Sequence, residues 1–448
     1  MSDVSLRIGV ATLARPNFDV PYAEENAAKV WATLKATGAE LVGSSDLLFD
    51  ADAVKAAMAE LCEQKLDLLV LAQVTFTDAT MTIELAKAVP APIVLWSSPE
   101  ARTGGRLRLN SLCGINLAGH ALGKADVDYS YIHRAPDDPK AGDELVALAQ
   151  AGSVKRRLAD ARIGVVGRHP DGFDTCVYDA EVLDKLCGTT IEQMEIGDFI
   201  DSAKEIDQAR TDAPYARCDA MFSNMAEMDQ EATRKSLKVF VALQDLARDK
   251  KYDAMAVRCW PEFFTDFGCA ACGAMAMMNE DQIPCGCEAD AYGTLTTLAL
   301  QYLAGEPAFL TDLVDMDVND DTGVFWHCGL APVSFADHEG PVRATIHSNR
   351  KLPLLGEFAF KPGRVTFARI SQAHNVTKMI LGGGEIIRRP MSFSGTSGVI
   401  RFDKPASDVL DAVMEQGLEH HVSVVYGEYR PALRHLAAML GMEVVEIT

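Results

Sequence analysis

The sequence predicts an α/β fold with two doubly wound parallel-sheet domains, followed by a C-terminal antiparallel β-barrel-like domain. Short apolar segments alternate with helical segments from the N-terminus onward, as in βαβ units. The phrase RIGVAT near the start has an echo, RIGVVG, further along the chain, and Gly/Pro turns separate short strand candidates after residue 330. The 448 residues also suggest about three domains, with expected bounds 1–155, 156–330 and 331–448.

The first predicted domain alternates apolar, β-branched segments with segments of helical spacing. Strands of this kind, apolar along their whole length, are typical of a parallel sheet that is covered on both faces. The predicted strands are Arg7–Thr12, Asp67–Gln73 and Pro92–Trp96, and the predicted helices are Tyr22–Thr37, Ala51–Gln64 and Ala79–Lys87.

The second predicted domain repeats this alternation and begins towards the end of a helical segment, Asp143–Asp160. Its echo of the first strand is only six residues long, so the sequence does not establish a duplication. The predicted strands are Arg162–Gly167, Thr190–Ile196 and Tyr252–Val257, and the predicted helices are Asp179–Cys187 and Tyr215–Asp249.

The third predicted domain is rich in short strands, and glycines and prolines lie between them. Lys361-Pro362-Gly363 and Gly382-Gly383-Gly384 are interpreted as turns, which favours an antiparallel barrel or sandwich. The predicted strands are Pro341–Ser348, Leu354–Phe360, Arg364–Ser371, Lys378–Leu381, Glu385–Arg388 and Gly398–Phe402, and the chain closes with a helix (Pro405–Gln416), a strand (His421–Tyr426), a helix (Tyr429–Leu440) and a strand (Glu443–Ile447).

Composition excludes several classes of function. The net charge is −22, and no basic cluster extends beyond Lys155–Arg157, which argues against nucleic-acid or anionic-membrane partners. No apolar run reaches about 18 residues, so no transmembrane helix is expected. The N-terminus lacks the pattern of a secretory signal, so the expected location is the cytoplasm and the eleven cysteines are expected to be reduced.

Two acidic residues are candidates for chemistry. Glu288 follows the apolar phrase IPCGC and precedes a long helical pattern, so it is expected at the carboxyl end of a strand, where α/β folds place their sites. Asp312 lies one helical crossover later and could come from a neighbouring strand end. The plain alternative is that each residue is a partner of a helix N-terminus.

The histidines supply a third candidate ligand. His420 and His421 directly precede the apolar segment VSVVY, and adjacent strand residues point to opposite faces, so one of the two is expected in a given site. His327 ends another apolar segment. A structural role is the alternative for each histidine. Two carboxylates and an imidazole suit a hard divalent cation such as Mn²⁺ or Mg²⁺.

Five cysteines between residues 259 and 287 offer a different reading. Cys269-Ala-Ala-Cys272 and Cys285-Gly-Cys287 have spacings found in zinc and iron–sulfur sites. The same segment also reads as a tightly packed helix start in which cysteine acts as a small apolar residue. A thiol–metal lyase that uses the Cys259–Cys287 cluster therefore remains an alternative.

Several phrases taken together resemble the L-fucose and L-arabinose isomerase family. They are RCWPEF at 258–263, the segment 271–280, CEADAYG at 287–293, WHCGLAP at 326–332 and the ending HHVSVVYGEYRPALRHLAAMLGMEV. The resemblance covers roughly residues 160–448, and the N-terminal domain resembles the family only in its general layout.

The resemblance implies a metal-dependent aldose–ketose isomerase that acts on an open-chain sugar or modified sugar by enediol proton transfer. It implies that Glu288 and Asp312 bind the metal and act as the acid/base pair, with His421 as the third ligand. The implied cofactor is Mn²⁺, or another divalent cation such as Mg²⁺ or Co²⁺. The implied assembly is a homo-oligomer, a trimer or hexamer.

Further residues are predicted on the substrate side. By resemblance, these are Trp260, Glu262, His327 and His420. The Arg15 loop after the first strand could hold an anionic or hydroxylated end of the substrate, although a plain turn is the simpler reading. This chain is shorter than L-fucose isomerase, so its sugar is expected to differ. A non-catalytic sugar-binding protein of the same fold is a further alternative.

Overall fold

The computed structural model describes residues 5–448, which form two compact units. One unit consists of residues up to Arg156 together with Pro431–Met439, and the other consists of Arg157–Arg430 with Leu440–Thr448. None of the helices between residues 5 and 448 is both long enough and apolar enough to cross a bilayer. The division into three domains at residues 155 and 330 stays a prediction.

The first part of the chain forms an all-parallel sheet. Its strand order is β2-β1-β4-β5-β6, and β3 pairs with β1. The elements are β1 (Arg7–Leu13), α1 (Val20–Ala36), β2 (Glu40–Val42), β3 (Leu47–Leu48), α2 (Ala51–Cys62), β4 (Leu68–Gln73), α3 (Ala79–Ala88), β5 (Ile93–Ser97), α4 (Ser111–Lys124), β6 (Tyr129–His133) and α5 (Pro139–Asp160).

This sheet is covered on both faces, as the uninterrupted apolar strands predict. Residues of α1 and α5 pack in one buried cluster, and residues of α2, α3 and α4 pack in another. Helix α5 lies so close to β4 that a Cβ atom on Gly152 would fall 1.8 Å from the carbonyl oxygen of Asp67. The adjacent Arg156 binds the buried Asp67 carboxylate at 2.6 Å.

A second parallel sheet has the strand order β10-β9-β7-β8. The predicted long helix 215–249 is wrong, because the chain forms two helices there and Asp229 caps the second through the Ala232 amide at 3.0 Å. The elements are β7 (Arg162–Val166), α6 (Ala180–Cys187), β8 (Thr190–Met194), α7 (Ile196–Lys204), α8 (Asp212–Met221), α9 (Gln230–Lys250), β9 (Ala254–Val257), α10 (Cys272–Glu280), β10 (Cys285–Cys287) and α11 (Ala291–Ala304).

The third sheet has nine strands in the order β13-β14-β17-β12-β11-β18-β15-β16-β19, and β16 also pairs with β17. The elements are β11 (Phe309–Asp317), β12 (Thr322–His327), β13 (Arg343–Thr345), β14 (Leu355–Ala359), β15 (Gly363–Ser371), β16 (Lys378–Ile387), β17 (Thr396–Phe402), α12 (Ala406–Glu415), β18 (His421–Tyr426), α13 (Arg430–Met439) and β19 (Glu443–Glu446).

Two features of this sheet differ from the sequence prediction. The sheet is mixed rather than purely antiparallel, since β14–β17 and β16–β19 run parallel. Gly382–Gly384 form the middle of β16 instead of a turn. A Cβ on Gly382 would lie 2.0 Å from the Phe367 ring, and one on Gly384 would lie 2.4 Å from the Arg401 carbonyl, so the glycines permit close packing within a strand. The barrel-like closure stays a prediction.

Candidate active site

Glu288 lies in a sharp link between strand β10 and helix α11. Both Glu288 and Ala289 have positive φ, at 58° and 55°. Two consecutive non-glycine residues in the left-handed region carry a conformational cost that such sites often bear. Asp290 then caps α11 by accepting a hydrogen bond from the Gly293 amide at 2.8 Å. The strand-to-helix position predicted for Glu288 is the one that the structure has.

Asp312 and His421 come together through strand register. They are direct partners on the antiparallel strands β11 and β18, so their side chains leave the sheet on the same face. His421 Nε2 lies 3.4 Å from Asp312 Oδ1 and 3.9 Å from Glu288 Oε2. One imidazole nitrogen therefore faces both of the predicted metal-binding carboxylates.

The other imidazole nitrogen of His421, Nδ1, is fixed by a buried carboxylate. His421 Nδ1 lies 2.9 Å from Asp290 Oδ2, and the same oxygen accepts a hydrogen bond from Arg369 Nη1 at 2.5 Å. All three side chains are almost completely buried. A carboxylate on Nδ1 fixes the ring and leaves Nε2 as the nitrogen available to a cation.

The charges in this network stabilise one another. Burial raises the pKa of Asp290, but the Arg369 charge and the His421 hydrogen bond outweigh it and hold that pKa well below its ordinary range. Burial lowers the pKa of His421, yet the hydrogen bond to Asp290 raises it well above the usual value. Burial also raises the pKa of Glu288, and His420 and His421 bring it below its ordinary value.

The donor set fits a hard divalent cation. Glu288 and His421 belong to a group, completed by Cys176 and His420, whose ligand atoms all lie within 4.8 Å of one another. Asp312 is not in that group, although it contacts His421. Burial raises the pKa of the Cys176 thiol. The carboxylate and imidazole donors of Glu288, His420 and His421 suit Mn²⁺, Mg²⁺ or Co²⁺.

Two of the predicted substrate-side residues contact Glu288 directly. Trp260 Nε1 donates to Glu288 Oε1 at 3.0 Å, and His420 Nε2 lies 3.3 Å from Glu288 Oε2. The expectation that only one of the paired histidines enters the site is wrong. His420 precedes the first residue of β18, so the alternation of a strand does not apply to it, and Thr175 Oγ1 orients its ring at 2.9 Å from Nδ1.

The remaining predicted residues have other partners. Both Glu262 oxygens lie 2.9 Å from Arg258 Nε. His327 is buried, its Nδ1 accepts from the Cys328 amide at 3.0 Å, and its ring stacks on that of His421 at 6.4 Å between centroids. Arg15 lies in the first unit and pairs there with Asp78. The roles of these residues stay predictions.

The cysteines lie in a chain of side-chain contacts, in which Cys259 contacts both Cys287 and Cys272. Cys259 Sγ lies 2.7 Å from Cys287 Sγ, and Cys328 Sγ lies 3.1 Å from Cys272 Sγ. Within residues 5–448, no group of three of these cysteines brings its ligand atoms within 4.8 Å of one another. Burial raises the pKa of Cys259 well above its ordinary value, so it is a neutral thiol.

Sequence reasoning missed three residues of the site. Asp290 was within the quoted motif CEADAYG, two positions after Glu288, and its helix-capping place was the available signal. Arg369 was visible as a single charge inside the apolar strand VTFARIS. Cys176 gave no signal, since it lies in a short 3₁₀ turn, Asp174–Cys176, far from the other residues in sequence.

Two family models match the chain. The model for the N-terminal domain of fucose/sulfoquinovose isomerase matches residues 9–154, and the model for the C-terminal domain of L-fucose isomerase matches residues 357–448. Together they match more than half of the chain.

Relatives named sulfoquinovose isomerase match along most of their length, each at 28% identity. The protein of Priestia megaterium aligns over 96% of this chain and 97% of its own, and that of Alkalicoccus urumqiensis over 85% and 86%. The protein of a Clostridium species aligns over 96% of each chain. The solved structure of a solute-binding protein from Agrobacterium vitis, bound with α-D-tagatopyranose, aligns with 68% of this chain and 90% of its own at 16% identity. Its TM-score of 0.16 is too low to bear on fold or function.

These matches, together with the fold, define a sugar aldose–ketose isomerase, an intramolecular oxidoreductase. The chain belongs to the fucose/sulfoquinovose isomerase family. Neither a non-catalytic sugar-binding protein nor a thiol–metal lyase is favoured by these findings.

Proposed function

We propose that this chain is a metal-dependent isomerase that interconverts sulfoquinovose, an aldohexose with a sulfonate on C6, and the corresponding ketose. The substrate class rests on the relatives, which carry this activity in their names and align along most of the chain. The metal dependence rests on the arrangement of His421, whose Nε2 faces Glu288 and Asp312 while Asp290 holds its Nδ1.

Glu288, Asp312 and His421 would hold Mn²⁺, or Mg²⁺ or Co²⁺ in its place. A divalent cation in this position supplies positive charge that stabilises the enediolate as negative charge develops on the sugar oxygens. The protein's own contribution is to fix the direction of each donor. Asp290 sets the tautomer of His421, and Trp260 holds one oxygen of Glu288 by a hydrogen bond of 3.0 Å.

Glu288 and Asp312 would also move the proton between C2 and C1 of the open-chain sugar. A carboxylate is a competent base for a carbon acid next to a carbonyl when it is held within hydrogen-bond reach. The hydrogen bonds and charges around Glu288 lower its pKa, so the group would be the ionised carboxylate that a base must be. His420, whose Nδ1 contacts Thr175 and whose Nε2 contacts Glu288, would hold the Glu288 carboxylate in position beside the sugar.

The assembly proposed here is a homo-oligomer, a trimer or hexamer. Strand β6 is an edge strand of the first sheet, and its Tyr131 is 69% exposed. Leu112 on the neighbouring helix α4 is 51% exposed. Exposed apolar side chains on an open sheet edge suit contact with a second copy of the chain. Sedimentation analysis tests this: Tyr131→Glu should lower the oligomer size, and an unchanged size would remove this edge as the contact.

We also propose that the protein works in the cytoplasm. All eleven cysteines are free thiols, as a reducing compartment would keep them. Fractionation of cells that produce the protein would check this location, and recovery outside the cytoplasmic fraction would contradict it.

Metal analysis and product formation test the activity. Purified protein is dialysed with Mn²⁺, its metal content is measured, and ketose formation from sulfoquinovose is followed by NMR in deuterated water. Glu288→Gln and Asp312→Asn should lose both metal and turnover, whereas Glu385→Gln, at an exposed position of β16, should keep both. Deuterium from solvent should enter the ketose at C1.

The outcomes separate the competing readings. Loss of metal only in Cys269→Ser or Cys272→Ser would replace the carboxylate site by a thiolate site. Turnover that is independent of metal would remove the cation from the proposal. Turnover without any entry of deuterium would favour a hydride shift over proton transfer by Glu288 and Asp312.

A further inference from the structure

Arg350 lies against the aromatic side of the site. It belongs to the connection between β13 and β14, and its guanidinium carbon is 4.6 Å from the centre of the Trp260 ring and 5.2 Å from that of Phe264. Two aromatic faces hold the flat guanidinium in place by cation–π contact. Because Trp260 also donates its indole N–H to Glu288, one side chain contacts both the catalytic carboxylate and Arg350.

The surrounding loop supports the Arg350 side chain without neutralising it. His347 Nδ1 accepts the amide of Arg350 at 3.3 Å, and His347 Nε2 lies 3.3 Å from Arg350 Nη1. The His347 ring packs edge-on against Phe264 at 5.3 Å. Burial and the Arg350 charge lower the pKa of His347 to about 4, so this imidazole is uncharged at neutral pH.

Arg350 differs from Arg258 and Arg369 in having no carboxylate partner. Arg258 pairs with Glu262, and Arg369 pairs with Asp290. Among residues 5–448, the side chain of Arg350 contacts His347, Trp260 and Phe264 and forms no ion pair with a carboxylate. The protein has a net charge of −22, and an arginine near the site that has no acidic partner creates a local positive potential there. That potential favours the binding of an anion.

We propose that Arg350 forms an anion subsite that binds the C6 sulfonate of the sugar while C1 and C2 lie at Glu288 and Asp312. This inference rests on the proposed function and adds the residue that selects the charged substrate. Trp260 contacts Arg350 with its ring and Glu288 with its indole N–H, so it lies between the proposed anion subsite and the proposed reacting carboxylate. A guanidinium can donate two parallel hydrogen bonds to two sulfonate oxygens, which lysine cannot do.

The test compares two sugars that differ only at C6. Sulfoquinovose carries the sulfonate, and D-quinovose carries hydrogen in its place. For Arg350→Met, kcat/KM for sulfoquinovose should fall roughly 10- to 100-fold, as for a lost charge-assisted hydrogen bond, while kcat/KM for quinovose should stay within about twofold. Arg350→Lys should give an intermediate loss. Arg343→Met, an exposed change on the adjacent strand β13, is the control and should match the wild type for both sugars.

A binding measurement separates this inference from the proposed reaction. Calorimetric titration of metal-free protein should show that sulfoquinovose binds more tightly than quinovose, and that Arg350→Met abolishes the difference. If the wild-type protein isomerises neither sugar, the proposed function fails and this titration alone decides the role of Arg350. Equal losses for both sugars, or no loss for either, would overturn the subsite. If Arg350→Met does not fold by circular dichroism, Arg350→Lys decides in its place.

Discussion

Substitution of Asp290 by asparagine tests the network behind His421 with a change of one terminal atom. Asp290 Oδ1 caps helix α11, and Oδ2 accepts from both His421 and Arg369. Asparagine is as good a helix cap as aspartate, so the bond to Gly293 should survive. The new amide group would then point N–H donors at two groups that are themselves donors.

Two quantities should change, and each follows from burial. Asp290 is 1% exposed and Arg369 is 2% exposed, so the variant removes the nearest counter-charge of a buried guanidinium and leaves it only Glu419, at 4.0 Å. Breaking such a pair costs about 3–5 kcal/mol of the free energy of unfolding. His421 also loses the carboxylate that fixes its tautomer, and losses of this kind lower metal affinity roughly 10- to 100-fold.

Urea unfolding followed by circular dichroism measures the first quantity, and equilibrium dialysis with Mn²⁺ measures the second. Asp245→Asn is the matched control, because Asp245 also binds an arginine through both oxygens, at 2.7 and 2.8 Å, but on the protein surface. An exposed pair of this kind should cost about 1 kcal/mol or less and leave metal affinity unchanged. A folded Asp290→Asn variant with wild-type metal affinity would refute the positioning role.

Two further predictions concern stability away from the site. Gly152→Ala should destabilise the first unit by about 1–3 kcal/mol, because the new Cβ would overlap the Asp67 carbonyl. In Gly123→Ala the new Cβ would meet nothing within 4 Å, so this variant should stabilise helix α4 by about 0.5–1 kcal/mol. Urea unfolding measures both changes. The second concerns Glu428, whose pKa is raised by burial but lowered on balance to about 2 by hydrogen bonds from Arg430 and Arg364. Its folded-state pKa is depressed, so its contribution is present above pH 4.5 and is lost as the pH falls towards 2. Because its side chain is 37% exposed, that contribution should be about 1 kcal/mol or less, and the stability difference between the wild type and Glu428→Gln should shrink between pH 6 and pH 3. A difference that grows on acidification would contradict this.

The sequence predicted best where local pattern and tertiary structure agree. The uninterrupted apolar strand Leu68–Gln73 is buried on both faces, as a parallel strand must be. The apolar phrase before Glu288 and the helical pattern after it placed this residue at a strand-to-helix link. Gly382–Gly384 were misread because a turn and a crowded strand both require glycine, and only the position of Phe367 across the sheet distinguishes them.

The assembly of the site could not be read from local pattern, because its contacts are remote in sequence. Asp312 meets His421 only through the register of β11 against β18, which a shift of one residue would change for every side chain. Arg369 reaches Asp290 across 79 positions. The resemblance to a family supplied Glu288, Asp312 and His421 as a set, but it did not supply the buried residues that orient them.

The buried charges of Asp290, Arg369 and Glu419 carry an energetic cost that points to a role other than stability. The network also contains the buried Glu419, whose Oε2 lies 4.0 Å from Arg369 Nε. Apolar residues of similar volume often stabilise a protein more than a buried ion pair does. Stability alone therefore does not explain why Arg369, Asp290 and Glu419 are buried together. We therefore expect the triple variant Asp290→Asn, Arg369→Met, Glu419→Gln to regain most of the stability lost in Asp290→Asn, since no uncompensated charge of the three remains.

Metal affinity should not recover in the triple variant, because His421 Nδ1 still lacks a carboxylate. Urea unfolding and Mn²⁺ dialysis on the single and triple variants measure the two effects separately. Recovery of both stability and metal affinity would mean that Asp290 acts only by keeping the interior neutral. Recovery of stability alone would mean that the buried charges persist because they aim His421 Nε2 at Glu288 and Asp312.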